Sequence, residues 1–107
     1  MSSVQLEAIV ALTNTVTATG TAEQLVSTRN TWFRKFAIVA AKVTGANTGN
    51  VYIGPAGVDK TNFQYITLNP GDYWEFESPG GTVLDLSSFW IDAATNGDGI
   101  TGFYVTE

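Results

Sequence analysis

Along most of the chain, apolar and polar residues alternate with a period of two. Val4, Leu6 and Ala8 are separated by Gln5 and Glu7, and Trp74 and Phe76 are separated by Glu75 in a run that Glu77 closes. That period places alternate side chains on opposite faces of an extended strand, one dry and one wet. Thr15-Val16-Thr17 and residues 50–54, 62–68, 82–84, 89–93 and 100–106 read the same way, being short and rich in Val, Ile, Thr and aromatics. Between them lie turn clusters such as Asn69-Pro70-Gly71-Asp72, Ser78-Pro79-Gly80-Gly81 and Thr95-Asn96-Gly97-Asp98-Gly99. Their Pro fixes φ, and their Gly and Asn tolerate positive φ, as chain reversals require. No segment carries the stripe of a long helix; residues 21–26 allow one helical turn at most.

The pattern predicts an all-β, single-domain antiparallel β-sandwich of about eight to ten short strands, jelly-roll-like or immunoglobulin-like in topology. The domain spans residues 1–107, with residues 1–12 a candidate N-terminal docking strand. Residues 32–43 depart from simple alternation. Phe36, Ile38 and Ala40 fall on one side and Phe33, Ala37, Val39, Ala41 and Val43 on the other, the pattern of a strand buried on both faces. A loop or a second subunit is expected to cover the second face.

Composition narrows the chemistry. A chain of 107 residues supports one core rather than two. It contains no Cys and no His, which removes disulfides, thiol nucleophiles, the commonest metal ligand and the commonest general base. An enzyme is not expected: no catalytic residue, metal site or cofactor is assigned. The net charge of −5 is the wrong sign for nucleic acid. No signal peptide is recognisable, and no apolar run approaches the roughly 18 residues of a membrane span, so no membrane partner is expected. Charged residues make up only 14% of the chain, against about 25% in ordinary domains. Low charge of this kind fits a surface shielded in an assembly.

Candidate motifs have structural readings. Gly97-Asp98-Gly99-Ile100-Thr101-Gly102 matches a dinucleotide fingerprint by letter, but β-rich Phe103-Tyr104-Val105 follows where a helix is required, so a hairpin turn is expected. Asp92, Asn96 and Asp98 offer oxygen ligands, yet Ala94 and Phe103 occupy positions where a calcium loop needs acids; the carboxylates are expected to be solvated turn residues. Glu75 and Glu77 share one strand face, cannot flank a scissile bond, and are expected to form a solvent-facing stripe. Trp74 and Trp90 have core assignments, which leaves Trp32 as the unexplained aromatic and carbohydrate binding as an alternative. Arg29, Arg34, Lys35 and Lys42 hold four of the five basic residues, a candidate patch for an acidic neighbour.

In chain order the motifs are Asn47-Thr48-Gly49-Asn50-Val51-Tyr52-Ile53-Gly54, Leu68-Asn69-Pro70-Gly71-Asp72, Leu84-Asp85-Leu86-Ser87-Ser88-Phe89-Trp90-Ile91-Asp92-Ala93 and Gly97-Asp98-Gly99. This order resembles small virion structural proteins of tailed bacteriophages, of the capsid decoration, or cement, type, and covers residues 30–106. The resemblance implies a β-sandwich homo-oligomer, a trimer, on the outer capsid surface, with the major capsid protein as partner and no catalysis. A tail, baseplate or fibre component, or a carbohydrate-binding module, is the alternative. The contacts expected with the capsid or between subunits are Val4, Leu6, Arg29, Trp32, Arg34 and Lys35. The first pair would donate a terminal strand, and the cations would face an acidic shell.

Overall fold

A computed structural model describes residues 8–106. Nine strands make two antiparallel sheets: β1 (Ile9–Thr15), β2 (Glu23–Gln24), β3 (Trp32–Val39), β4 (Val51–Gly54), β5 (Ile66–Leu68), β6 (Tyr73–Glu77), β7 (Leu84–Asp85), β8 (Trp90–Ala93) and β9 (Gly99–Thr106). The larger sheet runs β1-β9-β3-β6, with β7 also paired to β3, and the smaller runs β2-β8-β4-β5. Without the two-residue β7, consecutive numbering gives 1-8-3-6 facing 2-7-4-5, the strand order of a jelly roll. The expected all-β sandwich is what forms. Residues 21–26 contribute β2 instead of a helical turn, because Glu23 and Gln24 pair with Ile91 and Trp90 of β8.

The core between the sheets is built from the inward set of each strand: Leu12, Phe33, Phe36, Ile38, Val51, Ile53, Leu68, Ile91 and Ile100 are buried. Aromatic rings concentrate at one end of it. Phe36 stacks on Phe76 at 5.7 Å and meets Trp74 and Phe89 edge-on at 5.2 and 5.3 Å, while Phe33 meets Phe36 at 5.3 Å. Such tilted and offset pairs add to the burial term itself.

Strand β3 differs from its expected two-faced form. A bulge between Phe33 and Lys35, opposite Thr106 and Val105 of β9, inserts Arg34 as an extra residue. The inserted residue shifts the alternation by one, so Phe33 turns to the same side as Phe36 and joins the core. The strand stops at Val39, and Val43 is 68% exposed beyond it. Ala37 is buried on the outer side because Glu75 and Phe103 lie opposite it on the two neighbouring strands.

Strand β1 takes residues 9–12 into the larger sheet, with Leu12 buried opposite Gly102. Of the expected docking segment, residues 1–7 lie outside the described residues, and residues 9–12 are paired to β9 on one side, which makes β1 an edge strand of the larger sheet. Gly102 lets β9 lie close to β3, since a Cβ there would stand 1.9 Å from the carbonyl oxygen of Ala37.

Truncating Phe36→Ala removes the ring shared by these contacts and is expected to lower stability by about 4 kcal/mol, whereas Val43→Ser should change it by less than about 0.5 kcal/mol. Urea denaturation of the two variants checks both, and similar losses would show that Val43 belongs to the core.

Candidate functional site

The acidic residues of the motifs serve the fold. Asp98 is fully buried rather than a solvated turn carboxylate. Its oxygens accept the backbone N–H of Thr48 at 3.0 Å and of Gly49 at 2.8 Å, and the Lys42 ammonium lies 3.6 Å away. Beside it Asn47, also buried, donates through Nδ2 to the Gly99 carbonyl at 2.8 Å and accepts the Gly99 N–H at 3.1 Å. The Asn47-Thr48-Gly49 and Asp98-Gly99 motifs, fifty residues apart in sequence, thus interlock as one clasp. A buried carboxylate requires such partners, because the cost of removing it from water has to be offset by hydrogen bonds and an opposite charge.

Asp92 is buried as well, its carboxylate accepting the N–H groups of Gly20 and Ala93. Asp72 accepts the Asn69 N–H across the turn that joins β5 to β6. Asp85 accepts from Ser87, Asn30 and Thr31. Desolvation pushes its carboxyl up, but the N–H groups of Ser87, Asn30 and Thr31 and the Ser87 side chain together outweigh it and hold the group below its ordinary value. Asp59 is held low by the Thr61 N–H and then by the Asn62 side chain. Asp59 and Asp92 line one shallow depression, but each is already occupied by donors of its own neighbourhood. Among the described residues no group of three acids is placed to hold a metal ion.

Two largely apolar features among the described residues are open to a ligand. The first is the outer face of the larger sheet, where Ile9 (75% exposed), Ala11, Ala37, Val39, Phe103 (37% exposed), Val105 and Tyr73 occupy the outward positions of four adjacent strands. At one side of it Lys35 and Glu75 pair at 2.7 Å, and the Tyr73 hydroxyl donates to the same carboxylate. The hydrogen bond from Lys35, then that from Tyr73, lowers the Glu75 carboxyl; the same contacts with Glu75 raise Lys35 and Tyr73. The second feature is a groove of about 310 Å³ between the sheets, lined by Tyr65, Trp74, Phe76, Leu84, Ser88 and Phe89. Its polar groups are few, and the Ser88 hydroxyl is committed to the Asp85 carbonyl at 2.7 Å, which gives poor matching for the many hydroxyls of a sugar.

The expected contact residues do not form one patch. Val4 and Leu6 lie outside the described residues. Arg29 is exposed in the loop before β3, Trp32 is exposed where β3 begins opposite Asp85, Arg34 sits in the bulge, and Lys35 is engaged with Glu75 on the outer face. Lys42 is drawn beyond the far end of β3 to Asp98, so the basic island is divided along the strand. Sequence reasoning missed Ile9, Phe103 and Tyr73. The signal was present in part: odd positions of β1 and β9 carry Ile9, Ala11, Phe103 and Val105, but the even positions are apolar too, so neither face stands out as the wet one.

Asp98→Ala leaves two main-chain donors and a lysine without their acceptor and is expected to cost about 3 kcal/mol, read from the urea midpoint. A loss under about 0.5 kcal/mol, the size expected at an exposed turn, would contradict the clasp. Acidification supplies an independent check. Asp59, Glu75 and Asp85 have folded pKa values below their unfolded ones, so their stabilisation is complete above pH of about 5 and is lost as pH falls through the folded values. The urea midpoint is therefore expected to fall below about pH 4, and a midpoint that rises there would reject this assignment.

Comparisons with family models, with curated proteins and with solved structures found no match, so the residues themselves carry any assignment.

Proposed function

We propose that this chain is a non-catalytic structural subunit of a bacteriophage virion, a capsid decoration protein that assembles with copies of itself as a trimer on the outer shell. The outer face of the larger sheet carries the reading. Strands of seven, eight, eight and five residues stand side by side there, with an apolar band of Ile9, Ala11, Phe103, Val105 and Val39 bordered by Thr13, Thr101, Lys35, Glu75 and Glu77. At about 4.8 Å between strands and about 3.3 Å per residue, such a face offers on the order of 500 Å². Covering it with a second surface removes about 1,000 Å² in total, the size at which a specific interface begins.

Three further observations support the reading. The motif order resembles virion proteins of this type, the jelly-roll order is one that viral capsid proteins share, and the buried acids are consumed by loop clasps rather than aimed at a substrate. The mechanism needs no chemistry. A subunit that binds the assembled shell and not its separated capsomers stabilises the shell by mass action.

Sedimentation equilibrium at micromolar concentration is expected to show a mass above the 11.4 kDa of one chain. Phe103→Glu, at the centre of the face, should weaken self-association about tenfold or more while the thermal unfolding midpoint stays close to that of the parent. A monomer at all concentrations that also fails to occupy undecorated capsids would overturn the proposal.

A further inference from the structure

On one side the larger sheet ends in the edge strand β6, and the open groove lies along it. β6 pairs only with β3, and no other strand among the described residues lies on its far side. The direction of its main-chain groups follows from the ladder. Ser78 N–H donates to Arg34 at 2.7 Å and Ala40 N–H to Asp72 at 2.8 Å, at the two ends of one register. Hydrogen-bonded pairs alternate in an antiparallel ladder, so Phe36/Phe76 and Ile38/Trp74 carry the intervening bonds. Tyr73, Glu75 and Glu77 then direct their N–H and C=O groups outward from the sheet. Trp74 and Phe76, between them, line the groove, with Leu84 beyond and Tyr65, 59% exposed, across the mouth.

We infer that the β6 edge is an acceptor site for an extended strand of a partner protein, one in which apolar residues alternate with basic residues. A strand laid antiparallel or parallel along β6 satisfies the outward groups of Tyr73, Glu75 and Glu77 and places every second side chain over the groove. Residues two apart on a strand stand about 6.6 Å from one another, the spacing of Trp74 and Phe76 themselves, so successive inward side chains of the guest each meet one ring. On the other face the guest's remaining side chains meet Glu75 and Glu77, against which the single ammonium of Lys35 is placed. The surplus is negative, and basic side chains complement it.

Charge also decides between occupants. Pairing β6 with the β6 of a second copy brings its glutamates towards their equivalents, and like charges opposite one another destabilise a strand pair. Residues 4–8 of this chain have apolar alternation, but their outward positions are Gln5 and Glu7, which again set an acid against acids. A foreign strand with cations at those positions meets neither obstacle. The edge borders the outer face that carries the structural reading and shares Tyr73, Glu75 and Glu77 with it, but peptide binding reads the edge and self-association reads the face, so the two are tested separately.

The test uses the full chain and four synthetic peptides. They are an end-capped heptapeptide Lys-Val-Lys-Leu-Lys-Val-Lys, its Glu-for-Lys counterpart, the same seven residues in the order Lys-Lys-Val-Leu-Val-Lys-Lys, and residues 1–8 of this protein. Calorimetry gives affinities, and amide hydrogen exchange by NMR reads the edge itself. The alternating basic peptide should bind best and slow exchange at Tyr73, Glu75 and Glu77, and Glu77→Lys should weaken it about threefold to fivefold. Glu75→Pro removes an outward N–H without touching the β3 ladder and should weaken it by about fivefold. Should that variant fail to fold, Glu77→Lys and the exchange pattern decide. Equal binding of the reordered peptide, unchanged exchange at the three amides, tighter binding of residues 1–8, or no binding at all would each overturn the assignment.

Discussion

The packing of Phe33 and Phe36 into one aromatic cluster with Trp74, Phe76 and Phe89 is the constraint on which the rest of the structure depends. These rings belong to β3, to β6 and to the residue before β8, and so they join the two sheets. Both phenylalanines can face inward only because β3 carries an extra residue at Arg34. The bulge increases twist locally and opens the end of β3 to pairing with two short partners in line, β6 along most of its length and β7 at its start. The aromatic end is also where the sandwich is left uncovered, since β5 has three residues and β7 has two, too few to close over the rings.

The other end is held by polar contacts. Asp98 and Asn47 fasten the loop before β4 to the start of β9, while the Asp98 carbonyl accepts the N–H of Val16 as β1 ends. In a fold dominated by contacts between distant segments, clasps of this kind reduce the freedom of long connections that have no regular structure of their own. They also account for the acidic character of the loops without a ligand. A carboxylate is the side chain that accepts several main-chain N–H groups at once, and four aspartates are used in that way: Asp59, Asp85, Asp92 and Asp98.

With the core and clasps assigned, the outer face of the larger sheet and the β6 edge are the surfaces on which the proposals rest. The larger sheet carries an apolar band outward, and its β6 edge combines unpaired main chain, an aromatic groove and two glutamates. One surface suits a broad, flat partner such as another copy, and the other suits a single extended segment. Both uses require the sheet to be rigid, which the central position of β9 and β3, each paired on both sides, provides.

The amino-acid pattern by itself determined the all-β class, the single domain, and the positions of β4, β6, β8 and β9, because alternation and turn chemistry are local properties. The absence of Cys and His was equally legible, and with it the direction of the functional argument. Tertiary structure decided what depends on distant partners. The bulge at Arg34 reverses the side on which Phe33 falls, and no local pattern marks it. Glu23 and Gln24 become a strand only because β8 lies beside them. Asp98 reads as a loop residue until the loop of Thr48 and Gly49 folds over it. The outer face stayed hidden because β1 and β9 are apolar at consecutive positions, and period two identifies a wet side only when the two sides differ. Which edge stays open follows from strand order, a property of the whole chain that no short window of sequence contains.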